Sequence, residues 1–222
     1  MMAKTILDVS RWQGSIDWDK VKESGLVSGV MLKTVSTNRK LSKRKDGLYI
    51  DPTFERNYAE CKRLGIPCGV YYYCKAVNTA EADAELSLLR KVLTGKTVQL
   101  PVAVDIEDKY VQAPLDKQTL TDIAAHALGT VERWGFYAML YTGLYFGETN
   151  LYMGGAALKP YDVWLAAYRS KKPEPGWPFG LWQYTSTASV PGVSGNVDLS
   201  HAYKDYAKII AKKGLTRLRE GA

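Results

Sequence analysis

The features that place a chain in a membrane, or send it across one, are missing from this sequence. No apolar run approaches the roughly 20 residues needed to span a bilayer. The N-terminus offers only Ile6 and Leu7 as a short apolar stretch before Asp8, and so lacks the apolar core of a signal peptide. We expect a protein made in the cytoplasm without a signal peptide and without membrane insertion.

Cysteine and histidine are scarce. Cys61, Cys68 and Cys74 are odd in number and lack paired C-x-x-C spacing, which predicts reduced structural thiols. His126 lies within a predicted helix and His201 in the tail, which argues against a Ser-His-Asp triad or a cysteine hydrolase. No residues show metal-ligand spacing, so we expect neither a metal nor a cofactor.

The composition indicates a folded chain with an anionic partner. The 222 residues are 46% hydrophobic and 11% aromatic, without a repeat or a low-complexity segment, which fits one barrel-sized domain. Thirty Lys and Arg residues against 23 Asp and Glu residues give a net charge of +7. The basic loop from Arg39 to Lys45 lacks interleaved aromatic residues, so we expect no nucleic-acid binding.

Short apolar runs alternate with helix-like stretches, which predicts β/α units around a largely parallel sheet. Helices are predicted at Ile16–Ser24, Pro52–Leu64, Thr79–Leu93, Leu120–Trp134 and His201–Arg219. The predicted strands are Thr5–Val9, Gly29–Thr34, Pro67–Tyr73, Val102–Ile106, Ala138–Thr142, Val163–Ala167, Gly180–Tyr184 and Val197–Leu199. About eight strands close a small barrel, so we expect an irregular, single-domain, TIM-like β/α barrel whose helices thin out in the last third. Residues 1–206 form the predicted barrel, and residues 207–222 form a basic helical tail.

Carboxylates stand at the ends of several predicted strands, where a β/α barrel has its active site. Side chains alternate along a strand, so Asp105 and Glu107 share one face, with about 7 Å between their Cα atoms. Two carboxyls side by side do not both ionise freely, so the pKa of one of them should rise. Asp8 ends the first strand and Asp198 lies in the last, and these strands are neighbours in a closed barrel. Four acids without a histidine favour glycosyl transfer to water over acyl or phosphoryl transfer.

Aromatic side chains near the strand ends support binding of a glycan, because sugar rings stack on aromatic faces. Every second residue of a strand belongs to the core. We place Tyr73, Tyr141 and Tyr184 in the site, and Trp164 and Trp182 in the barrel wall.

Several of these residues fall in a recognisable order. The motifs are Asp8-Val9-Ser10-x-Trp12-Gln13-Gly14, Ile16-Asp17-Trp18, Asp105-Ile106-Glu107, Trp182-Gln183-Tyr184-Thr185-Ser186 and Val197-Asp198-Leu199. From about Thr5 to about Tyr206 the chain resembles the glycoside hydrolase family 25 lysozymes, the Chalaropsis-type muramidases, which include many phage endolysins. The resemblance implies a β/α barrel that hydrolyses the β-1,4 bond from N-acetylmuramic acid to N-acetylglucosamine in bacterial peptidoglycan.

The resemblance also implies roles for individual residues. Glu107 matches the general acid and Asp105 its neighbouring carboxylate, while Asp8 and Asp198 match two further acids of the cleft. The expected substrate-binding residues are Lys33, Tyr73, Tyr141, Gln183 and Tyr184. We favour a retaining route assisted by the substrate's acetamido group, with Asp105 orienting that group and Asp198 or Asp8 supporting charge.

One stretch departs from the family pattern. The second strand commonly ends Lys-x-Thr-Glu-Gly, whereas here Lys33 is followed by Thr34-Val35-Ser36-Thr37-Asn38 and then by the basic loop. The Glu is absent, so contacts from this stretch are not carried over. Basic clusters at Arg39–Lys45 and Arg169–Lys172 follow predicted strands, so we expect a positive rim that holds anionic wall polymers.

Two other functions fit parts of the pattern. A chitinase-like N-acetylglucosaminidase also ends a strand in D-x-E, although its motif usually has an Asp where Ala103 stands here. An inactive wall-binding module that keeps the cleft is the other alternative. A muramidase without a signal peptide is expected to reach the bacterial wall through a holin if a phage encodes it.

Overall fold

The computed structural model describes residues 3–219 and residue 221. The extreme ends of the predicted barrel and tail, residues 1–2, 220 and 222, lie outside the described residues. The strands are β1 (Lys4–Val9), β2 (Gly29–Lys33), β3 (Val35–Thr37), β4 (Leu48–Ile50), β5 (Cys68–Tyr73), β6 (Val102–Asp105), β7 (Ala138–Gly143), β8 (Asp162–Ala166), β9 (Leu181–Ala188) and β10 (Val197–Ala202). The helices are α1 (Trp18–Glu23), α2 (Phe54–Arg63), α3 (Thr79–Leu93), α4 (Lys117–Arg133), α5 (Leu144–Asn150) and α6 (Tyr206–Lys213).

Eight of the strands close into a barrel in the order β1-β10-β9-β8-β7-β6-β5-β2. Strands β1, β2 and β5 to β9 run parallel to one another, whereas β10 is antiparallel to both of its neighbours, β1 and β9. The register between β9 and β10 shifts at Leu199. The predicted TIM-like barrel with irregular last strands is therefore confirmed.

The helices before the tail follow the predicted order, with a shifted start for α4 and one additional helix. Helix α4 begins at Lys117, three residues before the predicted start, because the Asp116 side chain caps it by accepting a hydrogen bond from the Thr119 backbone N–H at 2.9 Å. Helix α5 begins directly after β7 and was not predicted. The connections from β8 to β9 and from β9 to β10 contain no helix within the described residues.

The predicted closing helix is wrong in its bounds. His201 belongs to β10, and α6 ends at Lys213, where Gly214, with a φ of 67° in the left-handed region, caps it. Tyr206 and Ile210 of α6 are buried against the barrel interior, in one cluster with Ile6 and Leu100. Helix α6 therefore closes the barrel end opposite the carboxyl ends of the parallel strands.

Strands β3 and β4 form a separate two-stranded hairpin between β2 and α2. This hairpin was not predicted, and the basic loop from Arg39 to Lys45 connects its two strands. Because it follows β2, the hairpin lies at the carboxyl end of the barrel.

All three cysteines are free and buried. Within residues 3–219 and 221, no helix is both long and apolar enough to cross a bilayer.

Candidate active site

A cavity of about 160 Å³ opens at the carboxyl ends of the parallel strands. It is lined by Asp8, Lys33, Tyr71, Tyr73, Asp105, Glu107, Tyr141, Trp164, Tyr168 and Asp198. Seven of the nine predicted site residues are among them, including all four predicted acids.

The strand register explains why these side chains meet. Asp105 is paired with Tyr73 of β5 on one side and with Tyr141 of β7 on the other. Tyr141 is in turn paired with Trp164 of β8, so one level of the barrel presents three aromatic rings and a carboxyl.

The two further acids come from the strands that close the barrel. Asp8 of β1 pairs directly with Asp198 of β10. Burial, and next the charge of Asp198, raise the pKa of Asp8 from 3.8 to about 8. Burial also raises the pKa of Asp198 above its ordinary value. Near neutral pH the folded protein therefore favours the protonated form of Asp8.

The carboxyls of Asp105 and Glu107 share the cavity, and both have raised pKa values. Burial is the largest cause that raises the pKa of Glu107 from 4.5 to about 7, and the nearby Lys33 ammonium opposes it. Burial and the charge of Glu107 raise the pKa of Asp105 well above its ordinary value. Because two buried carboxylates in one small cavity do not both ionise readily, the pair of Asp105 and Glu107 retains a proton near neutral pH. An acid with a proton to give at neutral pH is what glycosidic bond cleavage requires.

Comparison with known sequences agrees with this chemistry. The sequence profile of Glycosyl hydrolases family 25 matches residues 7–193. The chain belongs to glycosyl hydrolases family 25. The predicted resemblance is confirmed, and the chain is a glycoside hydrolase of the lysozyme type.

Individual family members extend the similarity over most of the chain. Lysozyme M1 of Streptomyces globisporus is 28% identical over 222 residues, which cover 92% of this chain and 69% of that protein. The crystal structure of the bacterial lysozyme from Streptomyces coelicolor superposes with a TM-score of 0.75 at 25% identity, covering 94% of this chain and 96% of the other. The modular autolysin LytC from Streptococcus pneumoniae, solved with a synthetic peptidoglycan ligand, gives a TM-score of 0.76 at 27% identity over 90% of this chain and 47% of LytC.

Gln183, predicted to contact substrate, lies instead behind the cavity of this family 25 barrel. It is 1% exposed, accepts hydrogen bonds from the hydroxyls of Tyr141 at 2.9 Å and Tyr168 at 3.0 Å, and donates to Asp8 Oδ2 at 3.2 Å. Its amide therefore ties two cavity-lining rings to one of the acids. This position supports a positioning role rather than direct contact.

Tyr184 is not brought into the cavity either. Strand side chains alternate, so the inward position of Gln183 turns Tyr184 to the outer face of β9. There its ring stacks on His201, with 4.2 Å between the ring centres. Trp182 shares that outer face and donates from its indole to the Ala167 carbonyl at 2.8 Å, as expected for the wall.

Trp164 was predicted to lie in the wall, and the structure corrects this. Its ring lines the cavity floor, edge-on to Tyr71 and Tyr141 at centre distances of 5.9 and 4.8 Å. Its indole N–H donates to the buried Ser200 hydroxyl of β10 at 2.9 Å. Trp164 faces inward because it stands level with Tyr141 in the register.

Two further residues that line the cavity, Tyr71 and Tyr168, were not predicted as site residues. Tyr71 shares the inward face of β5 with Tyr73, so the alternation within Tyr71-Tyr72-Tyr73 contained the signal. Tyr168 follows the end of β8 by two residues, a position where barrel enzymes place functional side chains.

Proposed function

We propose that this chain hydrolyses the β-1,4 bond from N-acetylmuramic acid to N-acetylglucosamine in bacterial peptidoglycan, with Glu107 as the general acid. The observation that carries the proposal is the pair of Asp105 and Glu107 in the barrel cavity, with the pKa of Glu107 raised to about 7. Membership of family 25 supports the bond type, and the peptidoglycan ligand of LytC supports the substrate.

Glu107 is better placed than Asp105 to protonate the leaving oxygen. Glu107 is only partly buried and borders both this cavity and a second one beside it, whereas Asp105 is 3% exposed. The proton passes from Glu107 to the glycosidic oxygen as the bond to C1 of the muramic acid breaks. Glu107 then takes a proton from the water that completes hydrolysis.

Asp105 suits the role of orienting the substrate's acetamido group. Its Oδ1 atom is buried and has no hydrogen-bond partner among the described residues. An acceptor in this position can take the acetamido N–H, which turns the acetamido oxygen towards C1. Attack by that oxygen forms a bond on the face opposite the leaving group, and water then opens the ring so formed, so the configuration at C1 is retained.

Asp8 favours its protonated form near neutral pH, so Asp198 is the member of this pair that can offer negative charge to the developing positive charge. Because the pKa of Asp8 is about 8, the pair near neutral pH holds fewer than two negative charges. The Gln183 amide holds Asp8 in place, and Tyr141 and Tyr73 shape the space between the acids.

Replacement of Glu107 tests the assignment. Glu107→Gln removes the proton and keeps the side-chain shape, so the release of reducing ends from purified sacculi should fall by about a hundredfold or more. Glu148→Gln, the same change at an exposed position of α5, is the matched control and should keep full activity. A folded Glu107→Gln protein with normal lytic rates would refute the role of Glu107.

The route and the substrate have their own readouts. Proton NMR of the first anomer released should show the β configuration, and an α product would exclude the retaining route. Purified sacculi should yield muropeptides at a higher rate than chitin oligomers yield N-acetylglucosamine. Preference for chitin would favour the chitinase-like alternative, and failure to clear a wall suspension would favour the inactive wall-binding module.

A further inference from the structure

A second cavity, of about 450 Å³, adjoins the catalytic cavity and shares Lys33, Tyr73 and Glu107 with it. Its other walls come from the β3–β4 hairpin and from the segment that follows Glu107. We call this space the lysine arm and define it by Lys33, Lys75, Lys109, Asn38, Tyr49 and Tyr110. A ligand group in the lysine arm lies beside the proposed acid.

The lysine arm has an excess of positive charge. Lys75 is paired with Asp108 at 3.1 Å, whereas Lys33 and Lys109 form no ion pair in the part of the chain that the structure describes. Asp108 is also held by the backbone N–H groups of Tyr110 at 2.8 Å and Val111 at 3.0 Å. Lys33 lies close enough to Asp8, Asp105 and Glu107 to lower the pKa of each, so its charge is shared with the catalytic cavity. The Lys109 ammonium therefore supplies the excess positive charge of the lysine arm.

The side chains around these ammonium groups can complete a site for an anion. Asn38, Tyr49 and the exposed Tyr110, whose side chains all carry hydrogen-bonding groups, also line the cavity. The Lys109 ammonium lies 5.0 Å from the centre of the Tyr110 ring, and the Lys33 ammonium lies 4.9 Å from the centre of the Tyr73 ring. An ammonium group that contacts the face of an aromatic ring keeps its positive charge, so it can still form an ion pair with a carboxylate.

The proposed substrate supplies an anion at this place. A muramic acid carries its lactyl group and stem peptide on O3, two ring atoms from the C1 that reacts. Glu107 protonates the oxygen on C1 and also borders the lysine arm, so a substituent of the same sugar reaches the arm without a second chain.

We propose that the lysine arm is a subsite for a carboxylate of the stem peptide on the muramic acid at the cleavage point. This inference rests on the proposed function and adds to it: the enzyme distinguishes peptide-bearing glycan by charge. Lys109 is the best residue to test, because it is exposed and its replacement leaves no buried partner.

The test uses sacculi freed of teichoic acid, either with free stem-peptide carboxylates or after conversion of those carboxylates to neutral amides. Wild-type kcat/KM should be higher on the free form. Lys109→Gln should lower kcat/KM on the free form by about fivefold and leave the amidated form unchanged, since an exposed charge pair is worth up to about 1 kcal/mol. Lys109→Glu should invert the preference. Lys212→Gln, on α6 at the other end of the barrel, should match the wild type on both forms.

Equal loss on both forms, or no loss, in Lys109→Gln would overturn the subsite. A wild type that ignores amidation would do the same. If the Lys109 effect appears only on walls that retain teichoic acid, the anion is a wall phosphate and the proposal is wrong. Failure of the proposed function looks different, because the wild type would then release no reducing ends from any of these walls.

Discussion

Gln183 joins three groups of the site through one buried amide, so Gln183→Leu should weaken both the fold and the activity. Leucine has a similar size but can neither accept from Tyr141 and Tyr168 nor donate to Asp8. The change therefore removes the hydrogen bonds and leaves the space filled.

The magnitude follows from which partners stay buried. The Tyr141 hydroxyl and Asp8 have almost no access to water, at 7% and 8% exposure, and each unsatisfied group costs about 1 to 3 kcal/mol. Tyr168 is 58% exposed and its hydroxyl can turn to water. Leucine regains part of the loss by burying apolar surface, so the free energy of unfolding should fall by about 3 kcal/mol.

Urea unfolding and kcat/KM on purified sacculi measure the two effects. Looser placement of Asp8 and Tyr141 should lower kcat/KM by about tenfold or more. Thr187→Val, an exposed change on the same strand, is the control and should alter neither quantity. A Gln183→Leu enzyme with wild-type stability and wild-type kcat/KM would refute the positioning role.

Three further predictions follow from other parts of the molecule. Burial raises the pKa of Glu85 from 4.5 to about 7, so its protonated form stabilises the fold fully below pH 4.5, and about 3 kcal/mol of the free energy of unfolding is lost as the pH rises through 7. Glu85→Gln should remove this pH dependence from the free energy of unfolding measured in urea, and an unchanged pH slope would contradict the prediction. A Cβ atom on Gly69 would lie 2.5 Å from the Pro101 carbonyl oxygen, so Gly69→Ala should lower the free energy of unfolding by about 1 to 3 kcal/mol, whereas Gly154→Ala, in open space, should leave the urea midpoint in place. Lytic activity should fall steeply with salt, and neutral replacements within Arg39–Lys45 should flatten that dependence; a wild-type rate that is flat from low to physiological ionic strength would count against the positive rim.

The barrel and the four acids were predictable because they depend on simple periodicities. Asp105 ends β6 and Glu107 follows it by two residues, and both side chains line the cavity, as the alternation predicted. Barrel closure brings Asp8 to Asp198. Gln183 and Tyr184 show where prediction of site residues from the sequence motif fails. Adjacent residues of a strand face opposite sides of the sheet, so Gln183 and Tyr184 cannot both line the cavity. Only the three-dimensional structure shows that Gln183 lies behind the cavity, hydrogen-bonded to Asp8, and that Tyr184 packs on His201.

Short elements were harder to predict. Strands β3 and β4 have three residues each, which is too short for the alternation of apolar and polar residues to be recognised beside the basic loop that joins them. Helix α5 has seven residues, including Gly147, and no side-chain cap at its start. Such elements owe their form to packing on the barrel rather than to local preference.

The identity of the new reducing end tests the central claim most directly. Sacculi digested by the wild-type protein are reduced with borohydride, hydrolysed to sugars and analysed by mass spectrometry. The proposed function predicts that the reduced sugar is the alditol of muramic acid and that Glu107→Gln forms almost none of it. Reduced glucosamine as the main product, or muramic alditol formed equally by the wild type and Glu107→Gln, would contradict it.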